Sequence, residues 1–191
     1  MEAFPEPESP AMQARMWVLA LAVSVVPQLL AAQTAPSSAS PVADALRANA
    51  RRSAQNLIAA AEEMPAEKYT FAPTPAQMSF RHVVVHLAEG NDFLCGTISG
   101  VAAPQRAKVD TTDTKDKLVA RLRETFQFCD ASLANVDDAK LADSVPMFNR
   151  KVTRANAIVI TVADWADHYS QAAIYLRLNG LLPPTARPRT P

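Results

Sequence analysis

The sequence predicts an all-α protein, a four-helix bundle, for three reasons. Its 191 residues include four glycines, and a β-rich chain of this length would need more of them for its turns. Much of its 49% hydrophobic content is alanine, the strongest helix former. Four long segments repeat apolar residues at helical spacing, and helices of this length assemble as a bundle.

The charge balance narrows the class of partner. The chain carries 19 basic and 19 acidic residues, so it lacks the basic footprint of a nucleic-acid-binding protein. We therefore expect a small-molecule substrate and no nucleic acid. A homodimer is compatible with the sequence, which does not fix the oligomeric state.

Residues 1–32 are predicted to be an N-terminal extension and a secretory signal peptide. Arg15 precedes an apolar run over 17–26, and small residues follow it up to Ala32, which is typical of a signal cleaved near that residue. The predicted location is therefore periplasmic or secreted. The alternative is that the signal is not cleaved and anchors the protein to a membrane, which is the only membrane association we expect. The apolar run is, however, shorter than the roughly 20 residues that span a bilayer.

The predicted domain follows a polar, proline-bearing linker over 33–40 and covers 41–185, with a tail over 186–191. Its first helix is expected over about 41–64, with Ser40 as N-cap and Pro41 in the first helical position. An extended connection with three prolines comes next.

The second helix is expected to open with a capping box and to run to about residue 99. Thr74 would cap it, Pro75 would start it, and Gln77 stands three residues after the cap.

The third and fourth helices are expected over about 114–135 and 153–179, with a loop and a short turn over 136–152. Gly180, with prolines beyond it, is a strong stop signal for the last helix. Apolar residues recur at helical spacing in both helices: Leu118, Leu122, Phe126, Cys129 and Leu133 in the third, and Ile158, Val162, Trp165, Tyr169, Ala172 and Leu176 in the fourth.

The histidines carry the strongest sign of chemistry. His82 and His86 are four residues apart on the second helix, and Asp164 and His168 have the same spacing on the fourth. Side chains four apart share a helix face, and imidazoles and carboxylates that converge inside a bundle form metal sites. The spacing alone leaves two alternatives open: an ordinary contact on the helix face, and satisfied or surface histidines.

Two longer stretches resemble the DinB superfamily of four-helix metal-binding proteins: "MPAEKYTFAPTPAQMSFRHVVVHLAEGNDFLC" and "TRANAIVITVADWADHYSQAAIYLRLNGLLPP". The resemblance implies one ligand histidine on the second helix and two, four residues apart, on the last helix. The matching positions here are His86, Asp164 and His168, so an aspartate stands where the family has a histidine.

A set of two histidines and one carboxylate still suits zinc or ferrous iron. The expected cofactor is a divalent metal, zinc first, with iron, nickel or manganese as alternatives. The other interpretation is a decayed site in which Asp164 pairs with a cation or with water. His82, one turn before His86, is a candidate for orienting a ligand or for replacing one. Gln171 and Tyr175 are candidates for orienting substrate or a metal-bound water by hydrogen bonding, and bundle packing is the other interpretation for both.

Two functions follow from the resemblance. The first is an exported metal-dependent enzyme: a thiol-dependent transferase or isomerase, in which the metal holds a thiolate, or a hydrolase. Export argues against the cytosolic thiol pool as cosubstrate. The second is a non-catalytic helical module that binds a small molecule or partner, with the metal structural or absent. Phosphate-loop, Cys-x-x-Cys and Gly-x-Ser-x-Gly motifs are absent from the sequence.

Cys95 and Cys129 are a candidate disulfide, because an exported chain meets an oxidising compartment. In a simple antiparallel hairpin of the second and third helices the two residues would lie at different levels, too far apart to bond. The loop over 100–113 is long enough to shift the register or to let the third helix cross over. Two small buried apolar residues are the alternative, and the sequence leaves both open.

Overall fold

A computed structural model describes residues 39–188 and shows the predicted four-helix bundle. Its helices are α1 (Pro41–Glu63), α2 (Phe80–Ser99), α3 (Lys115–Leu133) and α4 (Arg154–Leu178). The predicted signal peptide at 1–32, the linker up to residue 38 and the last three residues of the tail lie outside the described residues. Within residues 39–188, no helix combines the length and the hydropathy that crossing a membrane requires.

Helices α2 and α3 run in the same direction, which contradicts a simple hairpin between them. Asn91 is hydrogen-bonded to Thr125, and Cys95 is joined to Cys129. Both pairs have the same sequence separation of 34, and a constant separation means parallel helices. The connection over 100–114 therefore returns along the length of α2, and its Thr111 carbonyl accepts a hydrogen bond from Arg81 at the start of α2 (2.7 Å).

Two other pairs of neighbouring helices are antiparallel. Between α1 and α3, and between α2 and α4, positions that rise along one helix meet positions that fall along the other. The contacts that show this are Arg51 with Asp130 and Glu62 with Arg123 for the first pair, and His86 with Asp164 and Ile98 with Arg154 for the second. Helix α1 is antiparallel to α3, α3 is parallel to α2, and α2 is antiparallel to α4. Helices α1 and α4 are therefore parallel to each other.

The first turn of α1 is capped from a distant part of the chain. Ser40 takes the N-cap position and Pro41 the first helical position, as predicted. The side chain that accepts the free backbone N–H groups, however, is Asp138, with Val42 N at 2.9 Å and Ala43 N at 2.8 Å. A carboxylate there satisfies two donors and favours the positive end of the helix dipole.

The second helix begins later than the capping-box pattern predicts. Thr74 and Gln77 form an isolated turn, in which Gln77 N donates to the Thr74 carbonyl (3.1 Å). Ser79 is the actual N-cap, and its hydroxyl accepts from His82 N at 3.3 Å. The bond from Phe80 N to the Phe71 carbonyl (2.8 Å) joins the two ends of the segment that contains this turn, and a local motif does not encode that contact.

The loop predicted over 136–152 contains a β-hairpin that the sequence analysis missed. Strands β1 (Ser144–Met147) and β2 (Arg150–Thr153) pair antiparallel, with Val145 opposite Val152. A short 3₁₀ turn precedes them at Asp138–Lys140, which agrees with the predicted turn. Each strand has four residues, the shortest length at which alternation can indicate a strand, and β1 also contains a proline, which argues against a strand in the sequence.

The predicted apolar stripes form the core. All five α3 positions of the predicted stripe are buried, and on α4 Ile158, Trp165, Ala172 and Leu176 are buried. Val162 and Tyr169 are partly buried and pack against that core. After α4, Gly180 adopts a left-handed φ of 76°, the conformation expected of a glycine that ends a helix.

Cys95 and Cys129 form a disulfide between α2 and α3, with Cα atoms 5.2 Å apart. The parallel arrangement explains how they meet. Cys95 and Cys129 lie at similar distances from the first residues of their helices, so they lie at one level once both helices run the same way.

Alkylation of the denatured, non-reduced protein is expected to modify no thiol. The variant that carries both Cys95→Ala and Cys129→Ala should lose roughly 3–4 kcal/mol of the free energy of unfolding, because it opens a covalent loop between positions 34 apart. Thiol counting by intact mass and denaturant titration measure the two effects. Two modified thiols per natively prepared chain would contradict the bridge.

Candidate metal centre

Three side chains from two antiparallel helices converge at one point. His86 comes from α2, and Asp164 and His168 come from one face of α4. Oδ1 of Asp164 lies 3.6 Å from Nε2 of His86 and 3.4 Å from Nδ1 of His168. The two imidazole rings stack with centroids 4.5 Å apart and planes at 21°. One ligand atom from each residue lies within 4.8 Å of the other two.

A backbone hydrogen bond orients the imidazole of His168. Its Nδ1 lies 2.8 Å from the carbonyl oxygen of Asp164, one turn earlier on α4. A carbonyl oxygen accepts, so Nδ1 carries the proton in this bond and Nε2 keeps its lone pair. This is the arrangement in which a histidine presents Nε2 to a cation.

The cluster opens towards solvent on the α2 side. The side chain of His168 is 7% exposed, that of Asp164 24% and that of His86 47%. The site therefore has a buried floor and an accessible rim, and a small molecule could approach past His86.

A buried amide sets the position of α4 against α2 beside the cluster. Asn91, on α2, accepts a hydrogen bond from Trp165 Nε1 at 2.8 Å and donates one to Thr125 Oγ1 on α3 at 3.2 Å. Trp165 directly follows Asp164 in the sequence. Because successive helical residues point about 100° apart, a fixed inward Trp165 directs Asp164 towards the rim, where His86 lies.

The three auxiliary candidates lie in different surroundings. His82 is exposed, one turn before His86. Gln171 donates to Asp167 on its own helix at 2.8 Å. The hydroxyl of Tyr175 donates to the Met78 carbonyl at 2.8 Å.

The ring of Tyr175 belongs to an aromatic cluster with Phe71 and Phe80. Burial raises the pKa of the Tyr175 hydroxyl. The hydrogen bond to the Met78 carbonyl joins α4 to the segment before α2. Tyr175 therefore has the packing role that was one of its two predicted roles, the other being a contact with substrate.

Sequence reasoning missed Asn91 as a positioning residue. A signal was present: Asn91 is the one polar side chain in a run of buried α2 positions that also holds Leu87, Ala88, Leu94 and Cys95. A polar residue within a buried stripe is expected to have a hydrogen-bond partner, although the sequence does not identify it.

The donor set defines the chemistry that the cluster can support. Two imidazole nitrogens and one carboxylate oxygen are ligands for zinc, and with open positions they also suit ferrous iron. Neutral imidazoles leave the single negative charge on Asp164, which favours a bound cation.

Comparison with known proteins identifies the fold independently. A family model described as the DinB superfamily matches residues 49–172, a range that contains the whole cluster. No curated protein gives a significant match to the chain.

Two solved structures share the fold. One is a DinB-like protein from Bacillus subtilis, with a TM-score of 0.61 and 17% identity, which covers 76% of this chain and 99% of that one. The other is a DinB-like protein from Bacillus cereus, with a TM-score of 0.62 and 14% identity, which covers 74% of this chain and 95% of that one.

Trp165→Phe is expected to lower the free energy of unfolding by about 1–3 kcal/mol, because it leaves the buried Oδ1 of Asn91 without its donor. Denaturant titration measures the change. The matched control combines Trp165→Phe with Asn91→Leu, which removes both partners and should be less destabilised than the single variant. A single variant as stable as the native protein would show that the bond does not hold the helices together.

Proposed function

Because the chain belongs to the DinB superfamily, we propose that it is an exported, metal-dependent enzyme that acts on a small molecule. His86, Asp164 and His168 are the proposed ligands of a divalent ion, zinc first, with iron, nickel or manganese as alternatives. The observation that carries this proposal is the convergence of these three side chains from two helices.

The spacing of the donor atoms supports a metal. Ligands bound to zinc at about 2.0–2.1 Å in a tetrahedron lie about 3.3 Å from one another. The distance of 3.6 Å from His86 Nε2 to Asp164 Oδ1 is close to that value. One ligand atom from each of the three residues lies within 4.8 Å of the other two, so the side chains would have to move closer together to bind the ion.

A divalent ion bound there would supply Lewis acidity and would favour the thiolate form of a bound thiol. The chain's own residues would do the rest. His168 and Asp164 would form the fixed side of the site, because the bond from Nδ1 to the Asp164 carbonyl orients the imidazole. His86, the most exposed of the three, borders the side from which a substrate would approach.

Two enzyme classes fit this site: a thiol-dependent transferase or isomerase, and a hydrolase. The disulfide between Cys95 and Cys129 supports an oxidising compartment, and that compartment disfavours a cytosolic thiol as cosubstrate. Export therefore favours the hydrolase over the transferase.

One observation favours a different class of function. Asp164 stands where the family resemblance implies a histidine, so the site could have lost catalysis and kept a structural ion or none. The protein would then be a helical module that binds a small molecule or a partner. An exchangeable ligand position on the ion supports the enzyme, and a closed or empty site supports the module.

Untagged native protein is expected to bind one divalent ion per chain, and His168→Ala should weaken binding by more than about 100-fold. Asp164→His should tighten zinc binding, since it restores the three-histidine set. Elemental analysis and competition with a chelator measure both effects.

His82→Ala is the matched control for these variants. It removes an exposed histidine one turn from the cluster and should leave zinc affinity within about tenfold of the native value. Metal that survives His168→Ala and is lost with His82→Ala would contradict the ligand assignment.

Protein recovered from the periplasm is expected to begin within a few residues of Gln33, because cleavage is proposed near Ala32. Intact-mass measurement and N-terminal sequencing establish the first residue. A mature chain that retains Trp17 would instead support a membrane anchor.

A further inference from the structure

An open groove of about 420 Å³ lies between the second half of α2, the start of the connection to α3, and strand β1. We call it the hairpin groove. Its lining is mainly apolar, with Phe93, Gly96, Val101, Ala103, Val145 and Pro146 among its residues. Thr97 and the charged residues Asp92 and Arg154 also line it. The volume falls in the range of roughly 300–1,000 Å³ that is usual for small-molecule sites.

The wall of the groove depends on a glycine. A Cβ added at Gly96 would lie 2.9 Å from the carbonyl oxygen of Val101, closer than real side chains approach. The absence of a side chain lets the connection fold back onto α2 and form the side of the groove.

The groove begins on the face of α2 that carries the candidate metal centre. Phe93 follows His86 by seven residues, which is about two turns, or roughly 10.5 Å along the helix. Gly90 lies between them, and a Cβ placed there would meet no atom within 4 Å beyond the local helix. Gly90 therefore leaves open space beside this part of the helix.

The tip of the β-hairpin closes over the end of this path. The ring of Phe148 lies 5.5 Å from that of Phe93, centroid to centroid. Phe148 remains 67% exposed and Phe93 42% exposed. Two large aromatic side chains thus stand together in solvent, where they contribute little to the core.

The backbone at Phe148 is strained. Phe148 has a φ of 53° and is the one non-glycine residue with positive φ among residues 39–188. A bulky residue in this conformation is unfavourable, and asparagine or glycine is the usual choice in such a two-residue turn. A phenylalanine that is both strained and exposed points to a role for its ring outside the fold.

We propose that the hairpin groove and the pair Phe93–Phe148 bind the apolar part of the small molecule whose polar end reaches His86, Asp164 and His168. This inference rests on the proposed metal-dependent function and defines its ligand class. That class is an elongated amphiphile, with a metal-binding head and an apolar or aromatic group roughly 10 Å away, the span of two helical turns.

Two hydroxamate probes with the zinc-loaded protein test the proposal. Acetohydroxamate carries the head alone, and 6-phenylhexanohydroxamate adds a ring on a linker that covers the span. Calorimetry should show the aromatic probe binding at least about tenfold more tightly, as expected for burial of one ring. Thr97→Phe fills the groove with a ring, and Phe148→Asn removes the aromatic ring with a residue that tolerates the positive φ. Each variant should reduce the affinity ratio of the two probes to about twofold or less.

Gln127→Phe is the matched control, since it places the same ring in the comparable groove between α1 and α3 and should leave the ratio unchanged. Acetohydroxamate should bind all these proteins equally. The proposal would be overturned if the zinc-loaded native protein bound both probes equally well. It would also be overturned if the tighter binding of the aromatic probe persisted in both Thr97→Phe and Phe148→Asn. Zinc binding would stand in either case. The native protein could instead bind phosphatidylglycerol vesicles, lose that binding in Phe148→Asn, and show equal affinity for the two probes. This result would assign the aromatic pair to a lipid surface and would also overturn the proposal.

A metal-free readout separates failure of the groove from failure of the metal site. The fluorescence of anilinonaphthalene sulfonate is measured on His168→Ala protein, with and without Thr97→Phe. A signal that Thr97→Phe removes and Gln127→Phe retains supports the groove as an apolar site. Absence of zinc from the native protein would defeat the metal-dependent function, and with it the link between groove and cluster.

Discussion

The hydrogen bonds of Asn91 are the constraint on which the rest of the structure depends. This buried amide accepts from Trp165 on α4 and donates to Thr125 on α3, so one side chain joins three of the four helices. Apolar contacts are non-directional and tolerate sliding, whereas a buried amide left without partners is costly. The bundle therefore has one preferred level and rotation for α4, and in it Asp164 faces His86. A shift of one residue would turn that carboxylate by about 100° and separate it from the imidazole.

The parallel course of α2 and α3 makes this junction possible and also shapes the surface outside it. Returning the chain along α2 requires the long connection over 100–114, which costs closure entropy. The disulfide offsets part of that cost by joining the two helices about one turn beyond the contact between Asn91 and Thr125. The same connection, held close by Gly96, becomes one wall of the hairpin groove, and the β-hairpin becomes the other. A single topological choice thus sets both the positions of the helices and the shape of the surface beside the cluster.

The sequence predicts what depends on local spacing and fails where distant parts of the chain meet. Helical periodicity located all four helices, and residues four apart identified Asp164 with His168. The choice of His86 also needed the family resemblance, since spacing alone left His82 equal to it. Asp138 at the start of α1, the delayed start of α2 and the direction of α3 are each fixed by contacts from remote segments. The hairpin is too short and too polar to show alternation, and the partners of Asn91 are 34 and 74 residues away.

Asp164 stands where the family resemblance implies a histidine, and this difference would change both the charge and the size of a metal site. Three neutral imidazoles would leave a divalent ion with its full charge of two, whereas a carboxylate reduces the net charge of the centre to one. Such a centre would attract anionic ligands less strongly and would polarise a bound group less. An aspartate side chain is also shorter than a histidine side chain and leaves more room at the rim, on the side where His86 is exposed. Weaker charge attraction makes recognition of the remainder of the ligand more important, and apolar surface two turns along α2 from His86 is suited to that recognition.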